Sequence, residues 1–135
     1  MEDYLEMIYR ICKEENYVRM NQLASNLNVR PSSSTKIVQK LNSIGLVNYE
    51  KYGLINLTEK GEKIGEFLYH RHMVIEKFLN IIGVEDSILK DTELMEHYVR
   101  PMVLKNIEHF IKFLDSNPGI LHKYYEYLKN NNQQF

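Results

Sequence analysis

Pro31-Ser-Ser-Ser-Thr-Lys-Ile-Val-Gln-Lys-Leu-Asn-Ser-Ile-Gly45 is the stretch that decides the fold. Pro31 suits the first position of a helix, where a missing N–H costs nothing. Gly45 suits the left-handed residue that ends one. Between them Ile37, Leu41 and Ile44 recur at helical spacing and form an inward stripe. Ser32, Thr35, Lys36, Gln39, Asn42 and Ser43 fall on the opposite side. Small hydroxyls, amides and a lysine on one exposed face are the groups that read base edges and grip phosphates in a major groove. A merely solvated helix would carry similar residues, so the flanking sequence has to decide.

Upstream, Tyr4, Leu5, Ile8 and Cys12 predict a first helix over residues 2–15. Val18-Arg-Met20 reads as a short extended piece. Asn21 is a candidate N-cap for a second helix bearing Leu23, Ala24 and Leu27, which Asn28 ends. Downstream, Leu46 to Tyr52 and Leu54 to Leu57 are β-rich runs separated at Gly53, hence a hairpin. Helix, short helix, turn, helix and hairpin together describe a winged helix-turn-helix over residues 1–62. Charge agrees with a polyanion-binding module: residues 16–60 carry a net +4 and the remainder −5, within an overall −1. The candidate DNA contacts are Arg30, Ser32, Ser33, Thr35, Lys36, Gln39, Lys40 and Lys51.

The rest of the chain, residues 63–135, reads as helical. Thr58 is a candidate N-cap for a long fourth helix with Ile64, Phe67, Leu68, Ile75, Phe78, Leu79 and Ile82 in its stripe, ended by Gly83. A fifth helix spans residues 85–99, with a possible break near Asp91. Pro101 starts a sixth, with Leu104, Ile107, Phe110, Ile111 and Leu114 at core spacing. Asn117-Pro118-Gly119 reads as a turn before a short last helix carrying Leu121, Tyr124, Tyr125 and Leu128, and residues 130–135 as a frayed tail. This much apolar surface exceeds what a small DNA-binding module covers. A homodimer would bury the excess and present two reading helices to a palindromic operator in double-stranded DNA.

At 135 residues, 44% hydrophobic and 26% charged, the chain suits one compact unit or two small subdomains. No apolar run approaches the roughly 18 residues of a membrane span, so no membrane partner is expected. The acidic start Met1-Glu-Asp-Tyr-Leu-Glu6 lacks a signal-peptide pattern. The single Cys12 rules out an internal disulfide and reads as a packed small hydrophobe. A cytoplasmic protein is expected.

Glu93, Glu96 and His97 carry the remaining chemistry. Spacings of three and four put them on one face of a helix. Two carboxylates and an imidazole make half a site for a divalent metal that favours oxygen and nitrogen. Asp3 and Glu6 are a second carboxylate pair, on the first helix, and His72 lies at the margin of the fourth helix's buried stripe. Each has an ordinary explanation: solvated helix residues, first-turn acids favoured by the helix dipole, a satisfied core histidine.

Taken together these residues resemble the diphtheria toxin repressor family of metal-dependent transcriptional repressors. The resemblance rests on Met1-Glu-Asp-Tyr-Leu-Glu6, Arg30-Pro-Ser-Ser-Ser-Thr-Lys36, Val38-Gln-Lys-Leu41, Tyr49-Glu-Lys-Tyr52, Leu57-Thr-Glu-Lys-Gly-Glu-Lys-Ile-Gly65, Tyr69-His-Arg-His72, Phe78-Leu-Asn-Ile-Ile-Gly-Val84 and Glu93-Leu-Met-Glu-His97. It implies six metal ligands, Asp3, Glu6, His72, Glu93, Glu96 and His97, each of the residue type the manganese branch uses. Iron-responsive relatives place methionine and cysteine where this chain has Asp3 and Glu96. The resemblance further implies two Mn²⁺ ions per protomer, with Glu93 and Glu96 bridging. The four carboxylates would balance the charge of two divalent cations. The hairpin departs from the family pattern, Gly53 coming one residue early.

The implied function is manganese-responsive repression of manganese-uptake genes, with no enzymatic activity and no organic substrate. Two other classes use similar parts. A di-metal hydrolase would need an open coordination position, a substrate pocket and a catalytic base beyond the ligands, and no spare Asp/His cluster offers one. A winged-helix sensor of an organic ligand would bind DNA without metal.

Overall fold

The computed structural model describes residues 1–50 and 52–131. Lys51 and residues 132–135 lie outside it. The described chain is mainly α-helical, with a winged helix-turn-helix followed by an all-helical part. It divides into two compact units, Met1–His70 and Arg71–Phe135.

The first unit runs α1 (Glu2–Glu15), β1 (Val18–Arg19), α2 (Met20–Asn26), α3 (Pro31–Ser43), β2 (Val47–Tyr49), β3 (Leu54–Leu57) and the first turns of α4 (Glu59–Ile82). Leu5 and Ile8 of α1 pack with Val18, Leu23, Val38, Leu41, Val47, Ile55 and Leu68 in one buried cluster. Each such side chain stabilises the fold by roughly 1.5–3 kcal/mol on burial. Asn16 ends α1 in the left-handed region (φ 67°), its N–H donating to the Cys12 carbonyl. Cys12 is half-buried and packs against this core. Burial, aided by the Glu15 carboxylate, pushes its thiol up to about 11. It is a packing residue rather than a reactive thiol.

Between α2 and α3, Asn28 supplies the turn with φ 54°. Arg19, in extended conformation, is the N-cap of α2, not Asn21. The reason is that Val18 and Arg19 are held in the sheet, so the helix must start at Met20. The sheet order is β1-β3-β2, all antiparallel, with Val18 opposite Ile55 and Val47 opposite Leu57. The extended piece at Val18 is thus the third strand of the wing sheet. Asn48 donates from Nδ2 to Asn56 Oδ1 at 3.0 Å across β2 and β3. The hairpin turns through Tyr52 (φ 77°) and Gly53 (φ 78°), and Tyr52 is 92% exposed.

Pro31 is the first residue of α3 and Gly45 (φ 78°) follows its end. The buried stripe is Ser34, Val38 and Leu41. Ile37 is half-buried and Ile44 is 50% exposed, which corrects the Ile37–Leu41–Ile44 stripe expected from spacing. Ile44 caps the helix, and a cap residue leaves the helical phase that would have turned it inward. Thr58 joins the wing to α4. Its Oγ1 donates to the Gly45 carbonyl at 2.7 Å and accepts the Gly61 N–H at 3.0 Å, an N-cap at the predicted residue.

The second unit holds the later turns of α4, then α5 (Ile88–Glu96), α6 (Pro101–Asp115) and α7 (Pro118–Asn131). Val74, Ile75, Leu79, Ile81, Leu104, Ile111 and Leu114 form its core. Gly83 ends α4 at φ 103°. α5 is shorter than expected and continuous through Asp91, whose carboxylate accepts from the Ser87 hydroxyl at the helix start. The bend between α6 and α7 falls at Ser116–Asn117. Pro118 and Gly119 are already helical, because proline fits the first helical position as well as a turn. The last helix is therefore not short. Asn130 and Asn131 belong to it, and the rest of the expected frayed tail lies outside the described residues.

α7 has no buried residue, and Met102, Val103, Phe110, Phe113 and Ile120 are all 45% exposed or more. Ile64, Phe67 and Ile82, expected in the α4 stripe, are also exposed at 36–46%. Ile82, Phe110, Phe113 and Ile120 line one apolar groove, and a groove of this kind marks an interaction surface. No described helix is long and apolar enough to cross a membrane.

Candidate functional site

α1 carries Asp3 and Glu6 one turn apart. Asp3 is exposed, and Glu6 is half-buried with its Oε2 accepting from Arg10 Nη2 at 3.0 Å. These residues belong to the first unit.

In the second unit, α4 and α5 each bring a buried ionisable residue inward. His72 is 6% exposed and Glu96 is 4% exposed. His72 Nδ1 and Glu96 Oε1 are in direct, short contact. The other ring nitrogen, Nε2, meets Glu76 Oε2 at 3.0 Å. An imidazole flanked by carboxylates on both nitrogens is fixed in ring orientation. Glu76 is a residue the sequence reading missed. Its signal was the i, i+4 spacing from His72 on one helix. Glu93 lies exposed one turn before Glu96, and His97 is the exposed C-cap of α5. Thr92, also on α5, is fully buried.

A buried carboxylate and imidazole cost free energy unless each has a partner. Oxygen and nitrogen donors without sulfur suit a hard or borderline divalent cation. Bound between Glu96 and a neutral His72, such a cation would take the place of a proton and supply charge compensation. Glu76 is placed to accept the N–H of the other ring nitrogen and hold the ring. The residues fit a metal.

On the polar face of α3 expected to meet DNA, Arg30 is the N-cap, and Ser32, Ser33, Lys36, Gln39 and Lys40 are exposed. Thr35 is half-buried and its hydroxyl donates to the Pro31 carbonyl at 2.9 Å. Asn42, expected on the reading face, accepts the Tyr49 N–H with Oδ1 at 3.3 Å and so ties α3 to the wing. The Ser43 hydroxyl donates to the Lys40 carbonyl. Lys51, the wing residue among the candidates, lies outside the described residues.

Two family models match in tandem. Residues 1–55 match the iron dependent repressor N-terminal DNA binding domain, and residues 58–123 match the iron dependent repressor metal binding and dimerisation domain. The HTH-type transcriptional regulator MntR of Lysinibacillus sphaericus is 42% identical over 91% of this chain and 89% of its own. That of Geobacillus kaustophilus is 40% identical over 98% and 95%. The chain belongs to the iron-dependent repressor family. It is a metal-dependent DNA-binding transcriptional regulator, with a dimerisation domain, and not an enzyme.

Among solved structures, the manganese regulator SloR superposes with a TM-score of 0.72 at 30% identity. The metal-dependent transcriptional regulator MtsR gives 0.74 at 26%. Each match covers 83% of this chain and 53% of the other, so the chain spans about half the length of these solved relatives.

Proposed function

We propose that the chain is a manganese-responsive repressor whose homodimer binds a palindromic operator and silences manganese-uptake genes when the metal is plentiful. Asp3, Glu6, His72, Glu93, Glu96 and His97 are the ligands of a binuclear site holding two Mn²⁺ per protomer. Residues 1–62 are the DNA-binding domain and residues 63–135 the metal-binding and dimerisation domain. The protein acts in the cytoplasm, where the DNA is.

The observation that carries this reading is the buried contact between His72 and Glu96, two residues from different helices within the segment matched as metal binding. The relatives named as manganese regulators support the choice of metal. Ligand chemistry agrees. Four carboxylates and two imidazoles offer hard donors, and Mn²⁺, the weakest binder of the divalent series, needs selectivity from coordination number and geometry.

Asp3 and Glu6 precede the reading helix in the chain, and the other four ligands follow it. Metal therefore acts as a clasp. It binds the DNA-competent arrangement better, and DNA reciprocally tightens metal binding. Lys36, Lys40, Arg30 and Lys51 hold phosphates, while Ser32, Ser33, Thr35 and Gln39 meet base edges. Counting bound manganese after equilibrium dialysis tests the site. Two ions per protomer in the parent, falling in Glu93→Ala, is expected; no retained manganese would overturn the reading.

A further inference from the structure

Arg10 lies one turn after Glu6 on α1 and donates from Nη2 to Glu6 Oε2 at 3.0 Å. Its guanidinium carbon stands 5.1 Å from the centre of the Tyr69 ring, and the Lys13 ammonium approaches the same ring at 5.1 Å. Tyr69 is tilted against Tyr9 with centroids 5.9 Å apart. Tyr9 itself is pressed against Gly65, where an added Cβ would lie 2.7 Å from the Tyr9 Cβ. Packing therefore holds the guanidinium beside the carboxylate.

Exposed i, i+4 ion pairs contribute little, because both partners are solvated and mobile. This pair differs on both counts. The Glu6 side chain is 14% exposed, and the Arg10 cation lies over the Tyr69 ring, which rests against the tightly packed Tyr9. The guanidinium is planar and presents its N–H donors in a fixed fork that suits a carboxylate.

We propose that Arg10 is a positioning residue for the metal: a built-in monovalent cation that holds Glu6 and competes with the divalent ion for its carboxylate. The inference rests on Glu6 being a metal ligand. A divalent ion arriving at Glu6 meets a fixed positive charge already paired with the carboxylate. Arg10 thereby raises the metal concentration at which the site fills. Tyr69 sharpens the effect by keeping the guanidinium from swinging into solvent.

Mn²⁺ titration of the full chain without DNA, by calorimetry and by the electron paramagnetic resonance of free Mn²⁺, tests this on Arg10→Met, Arg10→Lys, Tyr69→Leu and Glu6→Ala. Methionine keeps length and helix propensity while removing the charge. Arg10→Met should bind Mn²⁺ about tenfold more tightly, the order of the repulsion that one unit charge a few ångströms away exerts on a divalent ion in a water-like dielectric. Arg10→Lys should stay near the parent, and Tyr69→Leu should fall between. Should Arg10→Met fail to fold, Arg10→Gln carries the same test. Affinity unchanged or weakened in the uncharged variant overturns the inference while leaving the wider reading intact. Equal binding by parent and Glu6→Ala removes Glu6 as a ligand and the inference with it. A parent that does not bind Mn²⁺ overturns both.

Discussion

Glu96 on α5 and His72 on α4, twenty-four residues apart in sequence, meet through Oε1 and Nδ1 in the buried interior of the second unit, with Glu76 on the far side of the ring. The contact places a carboxylate, an imidazole and a second carboxylate in a row. The Glu76 contact on one ring nitrogen favours the orientation that turns the other toward Glu96.

Replacing Glu96 by Ala removes the buried carboxylate that His72 Nδ1 meets. Mn²⁺ affinity should fall by about 100-fold or more, beyond the 10–100-fold typical of groups that merely support ligands. Mn²⁺-stimulated DNA binding should disappear with it, while the metal-free protein stays folded and dimeric. Calorimetric titration in parallel with a DNA-binding assay measures both. Unchanged activation by Mn²⁺ would remove Glu96 from the site.

Lys36 and Gln39 should fail differently. Lys36→Ala should weaken binding to all DNA sequences and reduce the slope of log affinity against log salt by about 0.9, one phosphate contact. Gln39→Ala should relax preference at one base pair, because an amide reads edges. Salt titrations of each variant, together with selection from a random-sequence pool, separate the two. Parent-like slope and preference in both would show that α3 does not read the operator.

Gly61→Ala sets two effects against each other. Alanine favours a helix interior over glycine by about 1 kcal/mol. At Gly61, however, the added Cβ would lie 1.8 Å from the Leu46 carbonyl oxygen, where α4 leaves the wing. Backbone must move, and overpacking of that kind costs roughly 1–3 kcal/mol or more. Net destabilisation is expected, read as a lower urea midpoint. A midpoint equal to or above the parent's would contradict the close approach.

Much of this was legible in the chain because its signals are local. Pro31, Gly45, Thr58, Gly83 and Pro101 mark helix ends through their own backbone or capping chemistry, and each does so in the structure. Where neighbours in space decide, the sequence misled. Asn21 is a good cap in isolation, but pairing of Val18 and Arg19 with β3 fixes the helix start before it. Ile44 has the right spacing for the α3 stripe, yet it is the cap residue and leaves the helical phase. At the site, helical spacing gathers Glu93, Glu96 and His97 but does not reveal that Glu96 alone of the three is buried. Nor does it pick Glu76, an ordinary surface acid by sequence, as a partner of His72.

Asp3→Met tests selectivity. A thioether is neutral and soft, so the change removes one negative charge and one hard donor. Activation by Mn²⁺ should fall, while activation by Fe²⁺ or Co²⁺ is retained or improves relative to it. Anaerobic DNA binding against each metal, with bound metal counted per protomer, is the readout. A variant that still prefers Mn²⁺ by the parent's margin would place selectivity in the other five ligands or the backbone.

The central claim is that metal makes the chain competent to bind DNA. Its most direct test is the affinity of the full chain for duplex DNA selected from a random-sequence pool, measured by fluorescence anisotropy with Mn²⁺ and with chelator at one ionic strength, and repeated with Fe²⁺ and Zn²⁺. The account predicts tight binding to a palindromic site with Mn²⁺, a loss of about 100-fold or more in chelator, of the order that separates specific from non-specific binding, and weaker activation by Zn²⁺. Equal affinity with Mn²⁺ and with chelator would contradict it and identify a winged-helix protein that reads DNA without metal.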